Sequence, residues 1–261
     1  RRPSLRTSIS AHPWPELGDM DLEHTLALMQ AGKDTDLSAR ALYCAAVDAE
    51  ARQDGVSLFD GLLVPRSHAT LTMNADDVAA AVKAGFTKAK LKVGRDLQSE
   101  SCFIRAQAER FPALEWRLDF NGSQSPESVA VFLKDLGEEL RAKIDFIEDA
   151  YLLGSCPWVD ALGPYGMTMA VDREVEDVCG AYGVAVIKPA LHMAGPILKR
   201  AVHDDRRVVF TSYMDHPLGQ SFAAWEAGVA KQSYPDTISS CGLVTHGLFE
   251  PDAFTEALGK P

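Results

Sequence analysis

The stretch EWRLDFNGSQSPESVAVFLKDLGEELRAKIDFIED, residues 115–149, decides the fold. Two short β-rich runs, residues 115–120 and 144–148, enclose a segment over residues 126–136 that has helical spacing. Two parallel strands need a long crossover connection, which is usually a helix. The stretch therefore predicts one strand–helix–strand unit of a parallel sheet.

The same alternation continues along the chain in both directions. We predict strands over residues 69–73, 88–93, 115–120, 144–148, 168–172, 184–188, 207–212 and 241–245. Intervening helices are predicted over residues 76–84, 126–136, 196–203 and 220–231. Eight strands with helices between them are typical of a TIM-type (β/α) barrel, an α/β fold, here over residues 66–261.

Residues 1–65 differ from the barrel and are predicted to form a mostly helical N-terminal portion. Helical spacing covers residues 21–32 and 38–53, and the second of these helices has an apolar face of Leu42, Ala45, Ala46 and Ala49.

Composition narrows the choice of partners and compartment. Lys and Arg total 26 against 37 acidic residues, and the net charge of -11 argues against nucleic acid and against anionic membrane surfaces. No apolar run approaches the roughly 20 residues that span a bilayer, and the first residues lack the apolar core of a secretion signal. We therefore expect a cytoplasmic protein that acts on a small molecule. The oligomeric state stays open.

Three predicted strands in succession end in an acid: Asp119, Glu148 and Asp172. Side chains at the C-terminal ends of neighbouring barrel strands converge on one mouth. Three carboxylates that close together repel each other unless they share a cation, and oxygen ligands suit Mg²⁺, with Mn²⁺ as the alternative. Any one of these acids could instead cap the following helix. All three together favour a metal site.

Lysines end the strands on either side of these acids. Strand alternation places Lys88, Lys90 and Lys92 on one face of the second strand, and Lys188 ends the sixth. A neighbouring ammonium and a metal ion both disfavour the charged form of an amine, so Lys92 is expected to act as a base with Lys90 beside it. Lysines that extend from strand ends into water are the alternative reading.

Five motifs carry a family resemblance: KLKVG over residues 90–94, RLDFN over 117–121, FIED over 146–149, VDRE over 171–174 and VIKP over 186–189. Together they resemble the enolase superfamily and, within its muconate-lactonizing subgroup, the o-succinylbenzoate synthases. Family members usually open with the β-sheet portion of a capping domain. The resemblance therefore implies a barrel with a truncated capping portion over residues 1–65.

The resemblance also implies an activity and a role for each residue. The activity is metal-dependent dehydration of 2-succinyl-6-hydroxy-2,4-cyclohexadiene-1-carboxylate through a Mg-stabilised enediolate, in menaquinone biosynthesis. The resemblance implies that the metal ligands are Asp119, Glu148 and Asp172. It implies that Lys92 is the base, tuned by Lys90, and that Lys188 stabilises the intermediate. It further implies that the ligands are supported by Arg117 and Asn121, and that the succinyl carboxylate is contacted by Thr211, Ser212 and Tyr213.

Other functions remain open at this point. N-acylamino acid racemase, dipeptide epimerase and muconate cycloisomerase share the two-lysine arrangement, and a barrel that binds without catalysis is an alternative of another class. Asp149 and Arg173, which follow two of the strand-end acids, are expected to point away from the lumen and to matter little.

Overall fold

The computed structural model describes residues 36–152, 162–176, 182–214 and 216–245, with four isolated positions after them. Seven strands alternate with helices in this part of the chain. The strands are β1 (Ala69–Leu71), β2 (Lys88–Lys92), β3 (Glu115–Asp119), β4 (Ile144–Glu148), β5 (Met169–Val171), β6 (Val184–Ile187) and β7 (Arg207–Phe210). The helices are α1 (Asp36–Asp54), α2 (Ala75–Lys83), α3 (Leu97–Arg110), α4 (Pro126–Arg141), α5 (Ala194–His203) and α6 (Pro217–Ser233), with a 3-10 turn at Gly163–Tyr165.

The strands form one parallel sheet in chain order, β1 to β7. Residues 238–242 stand in the eighth position, where isolated bridges join Cys241 to Ser67 and Gly242 to Thr211. The amide of Gly242 donates to the Phe210 carbonyl at 2.7 Å, and that of His68 donates to the Cys241 carbonyl at 2.7 Å. The sheet is therefore closed into a barrel. The predicted eighth strand over residues 241–245 is replaced by these bridges.

Alternation along the strands gives the barrel two distinct faces. Outward side chains such as Leu91, Trp116 and Leu118 are buried under the helices in the main core. Inward side chains of the second half of the barrel form a smaller apolar cluster of Phe146, Ala170, Val184, Val186 and Val209. The inward positions of β2 and β3 carry charged residues instead, so one half of the lumen is polar.

The predicted barrel is confirmed, but two details of the helices differ from expectation. Helix α3 did not feature among the predicted helices. The expected apolar face of α1 is exposed, with Leu42 at 40% of its full accessibility, while Arg40 and Ala51 of the same helix are buried. The predicted helix over residues 21–32 lies outside the described residues, and the boundary at residue 65 stays a prediction.

None of the helices in the described part of the chain has the length and apolar character needed to cross a lipid bilayer.

Candidate active site

Five consecutive strands bring the predicted site residues to one mouth of the barrel. Lys92 ends β2, Asp119 ends β3 and Glu148 ends β4, while Asp172 and Lys188 directly follow β5 and β6. Each lies an even number of residues from an inward-facing position of its own strand, so all five project from the inner face. β2 and β6 are four strands apart in a barrel with eight positions. Lys92 and Lys188 therefore stand on opposite sides, with the three carboxylates between them.

Lysine ammonium groups pair with all three carboxylates. Lys90 Nζ lies 2.6 Å from Glu148 Oε1 and 3.1 Å from Asp119 Oδ2. Lys188 makes an ion pair with Asp172. Both lysines are largely enclosed, with 14% of the Lys90 side chain and 23% of the Lys188 side chain exposed, whereas Lys92 is exposed at the rim. The site thus sets two largely enclosed lysines against three carboxyl groups.

Crowding of like charges shifts the pKa values of this cluster. Burial raises the pKa of Glu148, and the carboxylates of Asp119 and Asp172 raise it further, to about 8 despite the Lys90 ammonium. Burial lowers the pKa of Lys90, but the carboxylates of Glu148, Asp119 and Asp172 outweigh burial, and its net pKa is raised. Lys90 is therefore positively charged throughout the physiological range.

The donor set suits a hard divalent cation, because it consists of three buried carboxylates at adjacent strand ends. Their mutual repulsion, seen in the raised pKa of Glu148, is the electrostatic condition that a bound cation relieves. In this conformation the carboxylates face lysines, and no group of three or more His, Cys, Asp or Glu side chains among the described residues is arranged to hold a metal ion.

A backbone amide fixes Asp119 in place. The amide of Asn121 donates to Asp119 Oδ1 at 3.0 Å, and the Asn121 side-chain oxygen accepts from Arg173 at 2.9 Å. Asn121 has φ 54°, the left-handed conformation that turns its amide back to the strand end. The sequence-predicted Asn121 therefore lies beside a proposed ligand and contacts it through its main chain.

Asp149 is the residue that sequence reasoning missed. The expectation that it matters little is wrong: its carboxylate is buried and accepts the amides of Asp172 and Arg173, each at 3.1 Å. Burial raises the pKa of Asp149 to about 6. Its position directly after Glu148 was the available signal, but alternation alone could not reveal its φ of 42°, which redirects the side chain.

Arg117 lies deeper in the lumen than the three acids. It is fully buried and donates to Asp145 Oδ2 at 2.9 Å and to the Ser240 carbonyl at 2.8 Å, with His68 Nδ1 2.7 Å away. Asp145 reaches the lumen because the register between β3 and β4 shifts by one residue there, a β-bulge. Burial raises the pKa of Asp145, but Arg117 and Arg207 lower it more, to about 2. Arg117 thus belongs to a buried charge network in the barrel floor.

The three residues predicted to contact substrate face different ways. Thr211 continues the inward face of β7, and its buried hydroxyl has no hydrogen-bond partner among the described atoms. The Ser212 hydroxyl lies 2.7 Å from Thr245 Oγ1, which in turn donates to Gln220 of α6. The Lys188 ammonium lies 5.7 Å from the centre of the Tyr213 ring. Thr211 and Tyr213 therefore border the mouth, while Ser212 bonds toward the outer helix layer.

Helix α1 reaches the mouth through Arg40. This buried guanidinium donates to the carbonyl of Pro189, directly after Lys188, at 2.6 Å and pairs with Glu226 of α6. It also stacks on the Phe222 ring, 5.7 Å from its centre. A mostly apolar cavity of about 900 Å³ opens between α1, the loop at Pro189 and the start of α6.

Sequence comparison gives two related results. The family model described as "O-succinylbenzoate synthase, N-terminal domain" matches residues 10–51. An o-succinylbenzoate synthase of Bdellovibrio bacteriovorus is 30% identical over 257 residues, which cover 95% of this chain and 77% of that protein.

Solved structures of the enolase superfamily share the fold. The L-Ala-D/L-Glu epimerase of Bacillus subtilis superposes with a TM-score of 0.67 at 17% identity, over 95% of this chain and 76% of that chain. The o-succinylbenzoate synthase of Thermosynechococcus elongatus, solved with magnesium in its active site, superposes with a TM-score of 0.55 at 20% identity over 69% of this chain. That match spans 61% of the second protein, less than two thirds of its length.

Proposed function

The chain belongs to the o-succinylbenzoate synthase family, and from this we propose that it is a hydro-lyase acting in menaquinone biosynthesis. The proposed reaction converts 2-succinyl-6-hydroxy-2,4-cyclohexadiene-1-carboxylate to o-succinylbenzoate and water. The proposal is supported most directly by the order Lys92, Asp119, Glu148, Asp172, Lys188 on five consecutive strands. Two lysines on opposite sides of a carboxylate cluster suit the removal of a proton next to a substrate carboxylate, because one can take the proton as a neutral amine while the other holds positive charge nearby.

We propose that Asp119, Glu148 and Asp172 hold Mg²⁺, or Mn²⁺ in its place. The bound cation supplies positive charge beside the substrate carboxylate, where negative charge builds up when the neighbouring proton leaves. Asn121 and Asp149 would keep the ligands in place through the amide bonds described above.

Lys92 carries the proton in the proposed reaction. Its unprotonated amine takes the proton from the ring carbon next to the carboxylate. The ring carbon–oxygen bond then breaks, and the same ammonium returns the proton to the departing hydroxyl, so that water leaves and the ring becomes aromatic. Lys90, two residues earlier on the same face of β2, stays positively charged. Lys188, across the mouth, holds positive charge near the substrate carboxylate.

The test is the loss of diene absorbance when the purified protein meets the cyclohexadiene carboxylate with Mg²⁺, with Mn²⁺ and with chelator. Lys92→Ala is expected to abolish turnover. Lys88→Ala is the matched control, because Lys88 lies on the same strand and face but pairs with Glu115 and Asp145 in the barrel floor. Absence of turnover by a metal-loaded wild-type protein would refute the dehydratase.

Racemases and epimerases with two lysines are the second candidate, favoured by the opposed positions of Lys92 and Lys188. Racemisation needs an acid and a base on opposite faces, whereas dehydration needs proton transfer from Lys92 alone. Lys188→Ala should therefore abolish racemisation of N-acylamino acids and epimerisation of dipeptides, but leave residual dehydration. A panel of these substrates, with muconate added, separates the activities.

A further inference from the structure

A buried carboxylate outside the proposed metal site holds the loop that follows β2, the strand that ends at Lys92. Glu100 lies in the first turn of α3 and is 2% exposed. Its Oε2 accepts the amide of Gly94 at 2.7 Å, and its Oε1 accepts the amides of Arg95 at 3.0 Å and Asp96 at 3.4 Å. Both carboxylate oxygens therefore face backbone donors of residues 94–96, which begin two residues after Lys92.

Helix capping does not account for these bonds. The N-cap of α3 is Asp96, whose own carboxylate accepts the amide of Ser99 at 3.1 Å. The shortest bond from Glu100 reaches Gly94, outside the helix, and the bond to the cap residue is the longest of the three. Glu100 thus fixes the loop and adds little to the helix end.

The opposite side of the loop is fixed as well. Val93 donates to the Asp119 carbonyl at 2.9 Å, and the Gln124 side chain donates to the Gly94 carbonyl at 2.8 Å. Gly94 has φ 104°, and a Cβ there would lie 2.5 Å from the Ser123 hydroxyl. The loop therefore fits one conformation, which sets where β2 ends.

We infer that Glu100 is a positioning residue for Lys92, acting through the loop over residues 93–96. The inference rests on the proposed role of Lys92. Lys92 is exposed at the rim, so the orientation of its side chain toward the substrate depends on the backbone to which it is attached. A displacement of about 1 Å at a reacting group lowers the rate by up to about 100-fold, which makes rigid support important.

The decisive variant is Glu100→Gln, which keeps shape but replaces one oxygen with an NH₂ group. Whichever way the amide turns, that NH₂ faces a backbone donor, because both oxygens of Glu100 accept. We expect faster hydrogen exchange at the amides of residues 94–96. We also expect kcat to fall about 10- to 100-fold with KM and the dissociation constant of Mg²⁺ within twofold of wild type.

Asn74→Ala is the control, because it removes the N-cap hydrogen bond of another barrel helix, α2, and leaves residues 93–96 and the Glu100 carboxylate unchanged. It should lower the melting temperature but leave kcat unchanged. Gly94→Ala displaces the same loop by another route and should reproduce the kinetic defect, so it serves if Glu100→Gln does not fold.

Unchanged amide exchange in Glu100→Gln, or a loosened loop with kcat within twofold of wild type, would overturn the inference. The exchange measurement needs no substrate. If the wild-type protein fails to dehydrate the diene, the proposed function fails, and exchange alone decides whether Glu100 holds the loop.

Discussion

Replacing Lys90 with methionine should lower the free energy of unfolding of the metal-free protein and make its stability depend more strongly on divalent cations. The Lys90 ammonium lies 2.6 Å and 3.1 Å from two buried carboxylates, and 14% of its side chain is exposed. Removing one partner of a buried ion pair costs about 3–5 kcal/mol, and the position near the mouth favours the lower end. For a chain of this size, a loss of about 3 kcal/mol lowers the melting temperature by about 6–12 °C.

The cation dependence separates this effect from an ordinary lost ion pair. Without Lys90 the acidic cluster lacks a counter-charge that a bound Mg²⁺ can replace, so Mg²⁺ should stabilise the variant more than it stabilises wild type. A ligand at 100 times its dissociation constant stabilises a protein by about 2.7 kcal/mol, which is enough to measure. Lys88→Met is the matched control, since Lys88 is also an ion-paired, inward-facing residue of β2 but lies at the other end of the barrel.

The assay is thermal unfolding followed by circular dichroism, with magnesium chloride or chelator at constant ionic strength. Lys90→Met should recover much of its lost stability in Mg²⁺, and Lys88→Met should recover no more than wild type gains. Equal magnesium effects in the two variants would show that the Lys90 ammonium does not act as a counter-charge of the metal site.

Three further predictions concern other buried groups. The pKa of Asp145 is lowered to about 2, so its carboxylate stabilises the fold by about 2 kcal/mol above about pH 4 and loses that contribution as the pH falls through 2. In urea unfolding, Asp145→Asn should have a lower free energy of unfolding than wild type at pH 7, and the two values should converge in acid. Asp149→Asn places an NH₂ group against the amide of Asp172 or Arg173. Titration calorimetry should then show the affinity for divalent cations reduced about 10-fold or more, and an unchanged affinity would refute the positioning role of Asp149. Arg40→Met leaves Glu226 buried without its partner and should cost about 3 kcal/mol in chemical unfolding, while a second change, Glu226→Met, should restore most of that loss; no recovery would exclude the pair as the cause.

Much of the barrel was predictable because its strands and helices carry strong local patterns. Short β-rich runs between helical segments located the strands, and charged residues where successive strands end identified a group of five: Lys92, Asp119, Glu148, Asp172 and Lys188. In a parallel barrel the C-terminal ends of all strands meet at one mouth, so residues far apart in the sequence lie together there. The shared position of these residues therefore followed from the sequence as soon as the fold did.

The remaining errors come from places where the backbone departs from regular alternation. A bulge turns Asp145 into the lumen, and a positive φ turns Asp149 toward the following strand. Glu100 acts on a loop four to six residues before it, a distance that no strand period describes. Helix α1 buries Arg40, whose partners are about 150 or more residues away, so helical periodicity could not predict which face packs.

The contacts of Arg40 also restrict how this chain can recombine with its relatives. A crossover between α1 and β1 separates Arg40 from Glu226 and from the Pro189 carbonyl. A chimaera that joins α1 to a barrel without an acid at position 226 would bury a guanidinium lacking its counter-charge. Exchange of the N-terminal helix among family members therefore requires positions 40 and 226 to be inherited as a pair.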